Sequence, residues 1–277
     1  MDVLVVIGVG GMGETIARRQ APGKHTLLAD FNETAIETLA AAMRIDGFEV
    51  TTQKVDVSSR ESLSALADTA ASLGPVKQVV HTAGLSPTQA PLDAILRVDL
   101  VGVALMLEIF GEVVAEGGAG VVISSSSGYL TPAFGAEQAQ LVRSSAPEDL
   151  LALPFFSAEA LRNSAGVAYG VAKQANRLQV QAASGPWGAR GARINSLSPG
   201  VISTAMGRQE LESPSGGFMR GMVEQSGTGR LGTPSDIADG VTFLLGHTAS
   251  FITGIDLLLD GGSVAAVASG RVPMPTR

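Results

Sequence analysis

The chain has 277 residues, 45% of them hydrophobic and 16% charged, enough apolar material for one substantial core and too little charge bias for disorder. A net charge of −7 and the scatter of the 19 lysines and arginines exclude a phosphate-backbone partner, so no nucleic acid is expected. The absence of cysteine excludes disulfides and thiol catalysis, and His25, His81 and His247 have no metal-ligand spacing, so no metal is expected.

In chain order, the apolar run 3–7 leads directly into Gly8-Val-Gly10-Gly11-Met12-Gly13 and then into a breaker-free helical stretch. This strand, turn and helix is the context that gives a glycine fingerprint its meaning. Glycine permits the tight turn and lets backbone N–H groups approach a pyrophosphate held at the positive end of the helix. A second strand ends at Asp30, 22 positions beyond Gly8, where a carboxylate would accept from the adenosine ribose hydroxyls and repel a 2′-phosphate. No lysine or arginine lies in the glycine turn or directly after Asp30, so NAD is favoured over NADP. The alternative is that Asp30 or Asn32 only caps the next helix.

Further strands are expected at 26–29, 49–55, 78–81, 120–124, 193–197 and 255–259, with helices over 33–44, 61–72, 91–116, 167–183 and 234–245. The alternation describes one α/β domain over 1–277: a Rossmann-type, doubly wound, parallel seven-stranded sheet with helices on both faces. Ligands of such sheets bind beyond the carboxyl ends of the strands. No apolar stretch reaches the roughly 18 residues of a membrane span, and the first strand leaves no room for a signal peptide, so a cytoplasmic location is expected.

The motif richest in chemistry is Tyr169-Gly-Val-Ala-Lys173. Positions i and i+4 share a helix face, placing an ammonium beside a phenol. A phenol with a pKa of about 10 is only about 0.1% ionised at neutral pH. A cation at ~4 Å in an effective dielectric of ~20 would lower that pKa by at most about three units. The plain alternative is a half-buried ring beside a solvated lysine.

Together with Asp56-Val57, His81-Thr-Ala83-Gly84, Ile123-Ser-Ser-Ser-Ser-Gly128, Asn195 through Pro199-Gly200, and Asp260-Gly-Gly262, these motifs resemble the short-chain dehydrogenases/reductases from residue 3 to residue 262. The resemblance implies a small-molecule alcohol or ketone substrate, hydride exchange with NAD, and a homo-oligomer. It assigns Ser125 to polarise the substrate oxygen, Tyr169 as acid and base, and Lys173 to lower the phenol pKa and bind the nicotinamide ribose. It also gives Gly8, Gly10, Gly11, Met12, Gly13, Asp30, Phe31, Asp56, Val57, Ala83, Gly84, Pro199, Ile202 and Thr204 to the cofactor, with Tyr169 and Lys173. Ser124, Ser126 and Ser127 are otherwise equally good strand-to-loop residues.

Four departures from the family pattern stand out. Asp99 replaces the asparagine of the proton-relay set, acting either through its main-chain carbonyl or through its charge on Lys173. The glycine turn is one residue shorter than usual, and His81 stands where asparagine is common. Ser125 and Tyr169 lie 44 positions apart, which implies an insertion over 129–164 forming a lid, a wall beside the nicotinamide, or a subunit contact. An insertion in this region resembles some bacterial hydroxysteroid dehydrogenase/carbonyl reductases and implies a bulky apolar substrate such as a steroid or terpenoid. The region 205–230 is expected to fold over the substrate through Met206, Leu211, Phe218, Met219 and Met222. A tail over 263–277 is expected to fray from Arg271 onward or drape on a partner. The rival to the enzyme reading is a dinucleotide-binding scaffold without turnover.

Overall fold

The first apolar run forms β1, Asp2–Ile7, whose residues 3–7 are completely buried in the computed structural model, which describes residues 1–274. Burial on both faces marks a central parallel strand. Its side chains divide with period two: Val3, Val5 and Ile7 enter one core, Leu4 and Val6 the other.

Six more strands complete the sheet: β2 Lys24–Asp30, β3 Glu49–Lys54, β4 Val76–His81, β5 Val114–Ile123, β6 Arg193–Pro199 and β7 Asp256–Leu259. All pairs are parallel, in the order β3-β2-β1-β4-β5-β6-β7, so the expected doubly wound seven-stranded sheet is present. The order reverses between β1 and β4, opening a crevice at their carboxyl ends. One face is covered by α1 (Gly11–Gln20), α2 (Glu33–Ile45) and α11 (Pro234–Leu245). The other is covered by α3 (Arg60–Leu73), α5 (Gly102–Val113) and the 25-residue α8 (Ala165–Ala189).

Three expectations need correction. The helix expected over 91–116 is interrupted: α4 (Leu92–Ile95) passes through a π-helical stretch, Leu96–Val101, before α5, and β5 begins at Val114 rather than at 120. The wider turn is stabilised from outside the helix. Asn176 Nδ2 of α8 donates to the Asp99 carbonyl at 2.7 Å, and Gln179 Nε2 donates to the Leu100 carbonyl at 3.2 Å. Such π turns recur at functional sites, and hydropathy periodicity does not register them.

The insertion is neither a lid nor an exposed apolar excursion. After α6 (Ser127–Leu130) it forms α7 (Ala136–Ser144) and short 3-10 turns at Pro147–Ala152 and Pro154–Phe156. Its Val142, Leu150, Phe156 and Leu161 are buried in the same core as α5 and α8. Phe134 meets Phe155 and Phe156 edge-on, with centroids 5.6 and 6.1 Å apart. The expected fraying from Arg271 is corrected as far as Val272. After α12 (Ser263–Ala268), Val272 is buried against Met222 of α10 (Gly216–Glu224), and its N–H donates to the Ala266 carbonyl. Residues 275–277 lie outside the described residues.

Because the insertion is core, Phe156→Ala should destabilise the protein by about 3–5 kcal/mol, the usual cost of emptying a buried aromatic site. Chemical denaturation of wild type and variant measures it.

Candidate active site

Helix α8 builds the site. Ser164 caps its N-terminus, accepting from Val167 N–H at 3.3 Å, and the next turns present Tyr169 and Lys173 on one face toward the carboxyl end of the sheet. Gln174 braces the loop after β5: its Nε2 donates to the carbonyls of Gly128, Thr131 and Pro132, and its Oε1 accepts from Phe134 N–H. Ser124 Oγ donates to the Lys173 carbonyl at 2.8 Å, which makes that serine a brace. Ser125 Oγ instead accepts from Ser127 N–H at 3.2 Å and from Ser127 Oγ at 3.0 Å, and it lines a cavity with Tyr169.

Lys173 is buried, with Nζ 3.2 Å from Asp99 Oδ2, 3.5 Å from the Ile123 carbonyl it donates to, and 5.5 Å above the centre of the Tyr169 ring. Asp99 is completely buried, and its Oδ1 accepts from Leu85 N–H at 2.8 Å. Gly84 packs closely here: a Cβ would lie 3.2 Å from both Asp99 Oδ2 and Lys173 Nζ, so either side chain would have to shift by a few tenths of an ångström. The carboxylate is therefore the part of Asp99 that reaches Lys173, while its main-chain carbonyl accepts from Asn176.

This pairing overturns the expected electrostatics. Burial raises the Asp99 pKa, against the opposing pull of Lys173. Tyr169 is pushed above the ordinary phenol range, first by burial, then by the negative charges of Asp99 and Glu210, while Ser125 favours the phenolate. With its charge balanced by Asp99, the ammonium does not depress the phenol.

Two cavities meet at this point. The first, about 350 Å³, is lined by Ser125, Tyr169, Pro199 and Ile202, and roofed by α9 (Ala205–Glu212) and α10 through Met206, Glu210, Phe218, Met219 and Met222. Leu211 does not line it; Leu130, at the start of the 129–164 insertion, does, and α9 and α10 provide the rest of the wall expected of the insertion. The second, about 510 Å³, is lined by Gly8, Gly10, Gly13, Asp30, Phe31, Asp56, Val57, Ala83 and Gly84. Met12, Thr204 and Met206 line both. Gly11, Asp99 and Lys173 line neither cavity.

The second cavity fits a dinucleotide. Gly8 has φ +95°, and a Cβ there would lie 2.5 Å from Ala83 N. A Cβ on Gly13 would lie 2.0 Å from the Gly8 carbonyl oxygen, so the turn closes only with glycine at both positions. Gly10 caps α1 with no side chain and faces open space, leaving the first helical N–H groups bare for a pyrophosphate. Asp30 accepts from Val9 N–H at 2.8 Å and Asn32 N–H at 2.9 Å, while Asn32 itself caps α2 through Ala35 N–H. The capping alternative thus belongs to Asn32, and Asp30 faces the cavity.

Motif spacing missed Glu210, Arg97, Asn176 and Gln179, which belong to no glycine or Tyr-Lys signature and gain their places only through packing. Among the described residues Arg97 is the one cation lining the dinucleotide cavity. Among the described residues no group of His, Cys, Asp and Glu is arranged to hold a metal, and no helix is long and apolar enough to cross a membrane.

Comparison with known proteins agrees with this geometry. A family model described as short chain dehydrogenase matches residues 2–136, and one described as enoyl-(acyl carrier protein) reductase matches residues 133–264. The chain belongs to the short-chain dehydrogenase/reductase family, oxidoreductases that use a nicotinamide dinucleotide. It is 41% identical to the short-chain dehydrogenase/reductase bsc3 of Alternaria brassicicola, over 95% of this chain and 96% of that protein. It is 30% identical to D-threitol dehydrogenase of Mycolicibacterium smegmatis, over 94% of this chain and 91% of the relative. Its fold matches a short-chain type dehydrogenase/reductase from Mycobacterium ulcerans with a TM-score of 0.74 at 22% identity, covering 95% of this chain and 90% of the other.

His81, at the end of β4, is completely buried with both ring nitrogens unpartnered, and burial with the nearby Lys173 charge lowers its pKa to about 3. A folded-state pKa below the unfolded value means stability is complete above about pH 6.5 and declines as pH falls toward 3, by about 1.4 kcal/mol per pH unit for one group. Denaturation midpoints from pH 7 to 4 should fall less steeply in His81→Asn than in wild type.

Proposed function

We propose that the chain is an NAD(H)-dependent oxidoreductase that interconverts a secondary alcohol and a ketone. The observation that carries this reading is that Ser125 and Tyr169 share one cavity, joined at Met12, Thr204 and Met206 to a cavity suited to a dinucleotide. Gly8, Gly10, Gly13, Asp30 and Asp56 would hold the cofactor, with Gly11, Phe31, Val57, Ala83 and Gly84 shaping its bed. When bound, the nicotinamide ring supplies the hydride acceptor or donor.

Ser125 donates a hydrogen bond to the substrate oxygen, and Tyr169 exchanges the proton on that oxygen. A phenol held above its ordinary range is protonated at neutral pH, the form from which Tyr169 donates its proton during carbonyl reduction. Alcohol oxidation needs the phenolate and strengthens as pH rises. Asp99 and Lys173 act on this proton through their charges.

The methionine and phenylalanine roof suits an apolar body of steroid or terpenoid kind, since methionine adapts to irregular shapes. Relatives named D-threitol dehydrogenase and galactitol 2-dehydrogenase point instead to polyhydroxylated substrates. A homo-oligomer in the cytoplasm, without nucleic acid or membrane partner, belongs to the same reading. The Asp99 substitution favours a second reading, a dinucleotide-binding scaffold, because it neutralises the charge that would activate Tyr169.

The test follows NADH at 340 nm with a panel of cyclic, steroid, terpenoid and sugar alcohols and their ketones, with NADP(H) in parallel. Turnover with NAD(H) should fall by about 10²- to 10⁴-fold in Tyr169→Phe. Cofactor binding with no turnover across the panel would support the scaffold, and preference for NADP would overturn the role given to Asp30. In Asp99→Asn the loss of a nearby negative charge should lower the phenol pKa. The acid limb of kcat/KM for alcohol oxidation then moves to lower pH, by about one unit.

A further inference from the structure

Glu210 stands apart in the substrate cavity. Among the described residues it is the one charged side chain in a lining that is otherwise serine, threonine, tyrosine, glycine and apolar residues. It lies half-buried on the inner side of α9, and no lysine, arginine or histidine pairs with it among the described residues. A carboxylate taken partly out of water without a cation needs donors. Ser86, which is completely buried, favours the ionised form against the effect of burial.

The position is held from both sides. Thr204 Oγ1 accepts from Gly207 N–H at 3.0 Å and fixes the start of α9. Gln89 Nε2 donates to Gln209 Oε1 at 3.1 Å, tying α9 to the loop after β4 that carries Ser86. Glu210 is also close enough to Tyr169 for its charge to raise the phenol pKa. A carboxylate has two oxygens and about four acceptor sites, more than one serine can fill. The remaining acceptor capacity borders the space a substrate would occupy.

We propose that Glu210 is a specificity-determining residue that accepts a hydrogen bond from a second hydroxyl of the substrate, remote from the carbon that exchanges hydride. This deepens, and rests on, the dehydrogenase reading: the substrate class becomes a diol or hydroxyketone with an apolar body. The apolar roof holds that body, Ser125 and Tyr169 hold the reacting oxygen, and Glu210 holds the distal hydroxyl. An apolar group placed there would desolvate the carboxylate without replacing its lost hydration, so alcohols of equal size without the second hydroxyl are rejected.

The probes are 1,2-, 1,3- and 1,4-cyclohexanediol against the corresponding methylcyclohexanols, which match them in size, with trans-4-aminocyclohexanol as a cationic arm. Binding in the presence of cofactor is read by thermal shift and calorimetry, and turnover separately at 340 nm. Wild type should bind at least one diol about 10- to 100-fold tighter than its methyl partner, the range for a hydrogen bond to a charged group. Glu210→Leu should abolish or reverse that preference while keeping cofactor affinity, and Glu210→Gln, which retains an acceptor, should keep part of it. Equal binding of diol and methyl analogue in wild type, or an unchanged preference in Glu210→Leu, overturns the proposal. A stronger preference for the amino alcohol overturns the hydroxyl assignment in favour of a cation. Selective diol binding with no turnover of any alcohol upholds the role of Glu210 and removes the dehydrogenase reading.

Discussion

The active site is organised around one buried ion pair, Lys173 with Asp99. Removing two charges from water costs several kcal/mol each, and the attraction between them repays that only when geometry and further hydrogen bonds are good. The surrounding structure supplies both. Leu85 N–H donates to one carboxylate oxygen, the Ile123 carbonyl accepts from the ammonium, and Gly84 leaves the space that any side chain would fill. The π-helical turn carries Asp99 to this point, and Asn176 and Gln179 occupy carbonyls of that turn. Helix α8 thereby contributes Tyr169, its cationic neighbour Lys173 and the supports of the segment opposite.

The same pair governs the chemistry. A lone ammonium near Tyr169 would stabilise phenolate, whereas an ammonium balanced by carboxylate leaves burial in control and the phenol protonated. An acid rather than an amide at position 99 thus changes the charges around Tyr169. It also accounts for the dual status of Asp99, which touches neither cavity yet sits one residue from the groups that do. Glu210 adds a second negative charge from the substrate side, so Tyr169 is flanked by acids both behind it and across the cavity.

The insertion and the roof exchange the roles that spacing suggests. Residues 129–164 are rich in apolar side chains, a composition equally suited to a lid, a subunit contact or added core. They became core because α5 and α8 leave a broad apolar surface that Leu150, Phe156 and Leu161 cover within the same chain. The substrate cavity is walled instead by α9 and α10, where Thr204 starts the first helix and the Gln89–Gln209 contact holds it against the loop after β4.

What the sequence determined by itself was the set of features encoded locally. The continuous apolar run of β1, the glycine turn before α1, Asp30 at the end of β2 and the four-residue spacing of Tyr169 and Lys173 are all short-range patterns. Each follows from backbone geometry or side-chain hydrophobicity over a few residues. The seven-strand α/β architecture follows from their alternation. What only tertiary structure decided was every relation between distant segments. The partner of Lys173, the division of capping between Asp30 and Asn32, the path of the insertion, and the arrival of Arg97 and Glu210 at the two cavities depend on packing between residues far apart in the chain. Charge interactions act through space over a few ångströms, and a linear pattern does not record which acid folding will bring beside which base.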